Sequence, residues 1–123
     1  MKKILIIEDN AEIRENTAEL LELRHYGVLT AENGRIGFEL AKKHLPDLIL
    51  CDMMMPETDG WGFLQLAKGD GAINAIPIIF FSAGSPFPEV RKALIKEAKG
   101  YLHKPFTEQE LLSTIKMGLR KSR

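Results

Sequence analysis

Five short apolar runs punctuate the chain, at residues 4–7, 28–31, 48–51, 77–81 and 100–103. Runs of this length, bounded by charge or turn formers, read as strands buried on both faces. The run at 28–31 is the weakest. The proline of "PIIFF" fits the first position of its strand. Between the runs the pattern changes to helical spacing. Ile13, Ala18, Leu20, Leu21 and Leu23 predict a helix over 11–25, with acids early and "YG" ending it. Ile36, Phe38, Leu40 and Ala41 predict another over 36–44, after an Asn33-Gly34 turn and before Pro46. Further helices are expected at 60–68 (Phe63, Leu64, Leu66), 89–98 (Val90, Leu94, Ile95) and 107–119. "GDGAINA" reads as a loop. Thr107 and Glu110 have the spacing of a capping box, and basic residues crowd the end of that helix.

Strand followed by helix, five times over with short connections, predicts a parallel sheet covered by helices on both faces. Ligands of such folds sit outside the carboxyl ends of the strands. Composition supports this reading. A chain of 123 residues with 45% hydrophobic content suits one domain spanning 1–123. Zero formal net charge gives no global pull toward nucleic acid or anionic membrane, and neither is expected as a partner. The charge is nonetheless divided: residues 1–60 hold seven Lys and Arg against twelve Asp and Glu, and the rest hold ten against five. That division fits either an acidic site with a basic partner surface or ordinary surface scatter. One cysteine excludes an intramolecular disulfide framework and suits a reducing cytoplasm. The apolar run of "MKKILIIEDN" is broken by Glu8 and Asp9, too early for a signal peptide, and nothing approaches a membrane-spanning length.

The strand ends carry the chemistry. Glu8 and Asp9 follow the first strand, Asp52 the third, Ser82 the fourth and Lys104 the fifth. The fold would gather three carboxylates, a hydroxyl and an ammonium at one edge. Carboxylates so placed repel, and a hard divalent cation with oxygen ligands relieves them. A carboxylate beside such a cation and a lysine is suited to attack phosphorus and form an aspartyl phosphate. Met53, Met54 and Met55 read as packing residues, Cys51 as inert core, and His25, His44 and His103 lack metal-ligand spacing. Trp61 fits either core-edge packing or a partner contact.

Glu8-Asp9, "DMMMPETDG" from Asp52, "SAG" from Ser82 and "KPF" from Lys104, in this order, resemble the response-regulator receiver domain of two-component signalling over nearly the whole chain. The resemblance implies a flavodoxin-like, doubly wound five-stranded parallel sheet of order 2-1-3-4-5 with five helices. It implies a switch that takes a phosphoryl group on Asp52 from a histidine kinase or histidine phosphotransfer protein. It also implies Mg²⁺, with Mn²⁺ as a substitute, held by Glu8, Asp9, Asp52 and the Met54 backbone carbonyl. Ser82 and Lys104 would contact the phosphoryl group, Ser82 and Tyr101 would switch, and the bond before Pro105 would be cis. The output would be altered binding of a downstream protein on the face made by the fourth helix (89–98), the fifth strand and the last helix. Lys92, Lys96, Lys99, Lys116 and Arg120 fall in that region. No external substrate is expected.

Some positions depart from the family's commonest pattern. Ser82 stands where threonine is common, Pro86 and Pro88 would stiffen the following loop, and Glu97 replaces a usual helix-ending glycine. A degenerate receiver that binds partners without phosphorylation is the alternative. An aspartyl-phosphate phosphatase would want an acid two residues after the nucleophile, where Met54 stands. A flavin-binding module would want hydroxyls after the first strand, where two acids stand. The chain reads as a stand-alone receiver or as part of a longer regulator or hybrid kinase.

Overall fold

A computed structural model of the protein describes residues 1–53, 60–82 and 100–121. Strands β1 (Lys3–Ile7), β2 (Gly27–Ala31), β3 (Leu48–Asp52), β4 (Ile78–Ser82) and β5 (Gly100–His103) form one parallel sheet in the order β2-β1-β3-β4-β5. Helices α1 (Ala11–Leu23), α2 (Gly34–His44) and α3 (Gly60–Lys68) follow β1 to β3, and α4 (Glu108–Lys121) follows β5. The helix expected at 89–98 lies outside the described residues, with Pro86, Pro88 and Met54.

Each strand sends alternate side chains into one of two cores. Ile4, Ile6, Leu48, Leu50, Ile79, Phe81 and Leu102 meet Leu21 of α1 and Leu111 and Ile115 of α4. Leu5, Ile7, Ile49, Cys51, Ile78 and Phe80 meet Ala41 of α2 and Phe63, Leu64 and Ala67 of α3. Burial on both faces is why these strands are continuously apolar in sequence. Packing on the second face is close: a Cβ on Gly37 of α2 would lie 2.4 Å from Ile7 Cδ1.

Element ends follow local chemistry. Helix α1 stops two residues short of the expected end. The left-handed residue is His25, φ 69°, and Gly27 instead opens β2. Helix α2 starts earlier than expected because Asn33 is its cap: Ile36 N donates to Asn33 Oδ1 at 2.8 Å. Strand β4 is shifted by one residue, excluding Pro77 and including Ser82. The capping box is formed, with Glu110 N donating to Thr107 Oγ1 and Thr107 N to Glu110 Oε1, both at 3.0 Å.

Candidate functional site

The site is built by register and parity. Ile7 pairs with Cys51, Cys51 with Phe80, Asp52 with Phe81, and Phe81 with Leu102. One residue further along β1, Glu8 continues the ladder, its N–H donating to Ala31 O at 3.0 Å. Side chains two apart share a face. Glu8 thus extends the Ile4–Ile6 row, Asp52 the Leu48–Leu50 row, and Lys104 the row of Leu102. All three emerge on the α1 and α4 side, at the carboxyl edge of the sheet. Ser82 has the opposite parity, continuing the row of Ile78 and Phe80.

The Lys104 ammonium lies between two buried carboxylates. Nζ is 2.8 Å from Glu8 Oε1 and 3.6 Å from Asp52 Oδ2. Although Asp52 is the phosphoacceptor that the resemblance implies, Glu8 takes the tighter contact. Its extra methylene lets it reach across the strand end. Lys104 Nζ also sits 4.9 Å from the centre of the Phe81 ring, and Phe106 meets that ring edge-on with centroids 6.1 Å apart. Lys104 N donates to Ser82 O at 2.8 Å, tying the ends of β4 and β5 together, and the Lys104–Pro105 bond is cis.

Glu8, Asp52 and Ser82 are buried; Asp9 is exposed at the mouth. One carboxylate oxygen from each of Glu8, Asp9 and Asp52 lies within 4.8 Å of the others. Burial pushes the Glu8 carboxyl above its ordinary value, and hydrogen bonding with Asp52 adds to this. Lys104, Asp9 and the Asn10 N–H oppose it. Asp9 is also pushed up, first by partial loss of water and then by Glu8. Crowded acids that hold protons too tightly are what a divalent cation with hard oxygen ligands would relieve. The donor set fits Mg²⁺ or Mn²⁺.

The strand ends therefore bring together the side chains of Glu8, Asp9, Asp52 and Lys104, with Ser82 at the adjoining strand end and its backbone carbonyl bonded to Lys104 N. Tyr101 stands apart, half-buried and paired in register with Phe80 on the α2 and α3 side. Three residues with structural parts at the site escaped the sequence reading. Arg14 donates from an Nη to Glu8 O at 2.8 Å. Asn10 caps α1 through Ile13 N at 3.0 Å and donates its own N–H to Glu8 Oε2 at 3.2 Å. Phe81 underlies Lys104. Asn10 had a legible signal, an Asn just before a helix; Arg14 and Phe81 had none, because only the folded register brings them to the site.

A doubly wound sheet of this order, with clustered carboxylates and a lysine at its carboxyl edge, defines a class of small α/β modules. Comparison then fixes the family: the model for the response regulator receiver domain matches residues 4–116, and the chain belongs to that family. It is similar to the phosphate regulon transcriptional regulatory protein PhoB of Pseudomonas aeruginosa, 37% identical over 121 residues, covering 98% of this chain and 53% of that protein. It is also 34% identical to hybrid signal transduction histidine kinase D of Dictyostelium discoideum, over 91% of this chain and 7% of that protein. Among solved structures, the chemotaxis protein CheY4 of Vibrio cholerae superposes with a TM-score of 0.88 at 29% identity, covering 96% and 98% of the two chains. The chain spans about half the length of the curated regulators it matches. Some of these are named transcriptional regulators, so the expectation of no nucleic-acid partner extends no further than these 123 residues. No described helix is long and apolar enough to cross a membrane.

Proposed function

We propose that the protein is a phosphoacceptor switch: Asp52 takes a phosphoryl group from a phosphohistidine on a histidine kinase or histidine phosphotransfer protein. The observation that carries this reading is the Lys104 ammonium set between Glu8 and Asp52 at the mouth of the acid cluster. An Asp52 carboxylate oxygen attacks phosphorus in line with the leaving imidazole. A P–O bond forms as the P–N bond breaks, and the imidazole takes the bonding electrons and then a proton. A carboxylate needs no base for this step, so the protein's work is positioning and charge stabilisation.

Glu8, Asp9, Asp52 and the Met54 carbonyl would hold Mg²⁺, or Mn²⁺ in its place. When bound, the ion would supply positive charge that offsets the negative charge of the transferring group. Lys104 holds a phosphoryl oxygen once it turns from Glu8. Ser82 donates its hydroxyl to another, and Tyr101, on the neighbouring strand, follows its movement. A groove of about 380 Å³ lined by Ile13, Asn16, Thr17, Lys104, Pro105 and Phe106 opens beside the site and gives the donor a surface to seat on. The changed output surface is the face of β5 and α4 with the segment at 89–98, and its partner is a downstream protein. The domain spans residues 1–123, acts on no external substrate, and works in the cytoplasm.

The test is phosphorylation with acetyl phosphate and Mg²⁺, read by intact mass, in wild type and Asp52→Asn. The reading expects one added phosphoryl group in wild type and none in the variant. No gain in either, with partner binding unaltered, would instead favour a receiver that works without phosphorylation.

A further inference from the structure

Arg14 lies on the first turn of α1, and its guanidinium donates to the backbone carbonyl of Glu8 at 2.8 Å. That carbonyl closes β1. The Glu8 N–H is held by Ala31 O of β2 at 3.0 Å, so the sheet fixes the preceding peptide, Ile7–Glu8, and not the one that carries this carbonyl. On the carbonyl side the described restraint is Arg14. The carbonyl belongs to the peptide that joins Glu8 to Asp9. Glu8 and Asp52 have burial and Lys104 to fix their carboxylates. Asp9 is exposed; its carboxyl meets Glu8, Asp52 and its own backbone through hydrogen bonds, and the direction in which its side chain leaves the backbone depends on that peptide.

We infer that Arg14 is a positioning residue for the metal site: it ties the Glu8–Asp9 peptide to α1 and so keeps the Asp9 carboxylate within ligand distance of Glu8 and Asp52. This rests on the reading of the acid cluster as a Mg²⁺ site. Partners that orient metal ligands commonly matter to affinity nearly as much as the ligands. Arg14 itself touches neither metal nor phosphoryl group in this account.

Charge alone predicts the opposite sign. Removing a cation near an acidic cluster strengthens the pull on Mg²⁺. A loss of affinity on neutralising Arg14 therefore reads geometry, not field. The site also tolerates the change. Arg14 lines an open groove between α1 and the edge strand β2, with Glu15, Ala18, Glu22, Val28 and Thr30. Water entering from that groove into the space the guanidinium leaves would take the carbonyl's hydrogen bond. Water is not tethered to α1, however, and leaves the peptide free to turn.

The experiment is Mg²⁺ titration of the metal-free protein at constant ionic strength, by calorimetry and by Trp61 fluorescence. Wild type, Arg14→Met and Arg24→Met are compared; Arg24 is an exposed arginine at the far end of α1. The inference expects Arg14→Met to bind Mg²⁺ about tenfold more weakly and Arg24→Met to match wild type. Arg14→Met binding within about twofold of wild type, or more tightly, overturns it. Should Arg14→Met fail to fold, Arg14→Gln is held to the same criterion. Failure of wild type to bind Mg²⁺ would sink the metal reading itself; binding that is indifferent to Arg14 sinks only this inference.

Discussion

Replacing Asp9 by asparagine should make the metal-free protein more stable and the Mg²⁺-loaded protein less stable than wild type. The carboxylate oxygens of Glu8, Asp9 and Asp52 lie within 4.8 Å of one another. At that separation a like-charge pair costs about 0.9 kcal/mol in water and about 3.5 kcal/mol at an effective dielectric constant of 20. Asp9 is exposed, so solvent screening places it at the watery end. Two such pairs then cost about 1.7 kcal/mol. Asparagine forfeits about 0.5 kcal/mol of attraction to the N-terminus of α1. The net gain, about 1 kcal/mol, corresponds to roughly 3–5 °C in Tm for a domain of this size. Mg²⁺ at a hundred times its Kd adds about 2.7 kcal/mol to wild type and much less to a variant lacking one ligand. The order of the two melting temperatures should thus reverse between EDTA and saturating MgCl₂ at matched ionic strength. A variant that melts below wild type in EDTA, or gains as much as wild type from Mg²⁺, would refute the reasoning. The pH dependence carries the same sign. Glu8 and Asp9 are carboxyls raised in the folded state, so the native protein holds their protons more tightly than the unfolded chain. Their contribution to metal-free stability is best below the ordinary carboxylate range and is lost as pH rises through the raised values. Acidification from neutrality should therefore narrow the gap between wild type and Asp9→Asn in EDTA.

Lys104→Met should tighten Mg²⁺ binding, because an ammonium leaves the acid cluster, yet slow phosphorylation by roughly a hundredfold; titration and the rate of mass gain separate the two effects. Gly60→Ala should destabilise by about 1–3 kcal/mol. A Cβ there would lie 2.7 Å from Met53 Sδ and 2.9 Å from Met53 Cα, beside the strand end that carries Asp52. Urea unfolding measures the loss, and slower phosphorylation should accompany it. Leu45 holds a left-handed conformation, φ 45°, with an exposed side chain. Leu45→Gly should therefore raise stability by about 0.5–1 kcal/mol without altering phosphorylation, as thermal melts and the mass assay will show.

The sheet was legible because burial on both faces leaves continuous apolar runs, and β5 and α3 fall on their expected residues. The alternation of elements gave the parallel topology, and the motif resemblance gave the strand order. Element ends were less legible. The stop of α1 at Leu23, ahead of the left-handed His25, and the early start of α2 behind its cap Asn33 turn on single capping geometries that periodicity does not encode. At the site, strand-end positions named Glu8, Asp9, Asp52, Ser82 and Lys104, since chain order fixes which residues leave the sheet. Which carboxylate Lys104 approaches more closely, and the hold of Arg14 on the Glu8 carbonyl, depend on side-chain reach across strands and helices. A one-dimensional pattern carries no such information.

The phosphorylated residue can be identified directly. Phosphorylated protein reduced with borohydride and mapped by peptide mass spectrometry should carry homoserine at position 52, the product of an aspartyl phosphate, and only when Mg²⁺ was present. A label on Asp9 or Ser82, or undiminished labelling in Asp52→Asn, would contradict the account.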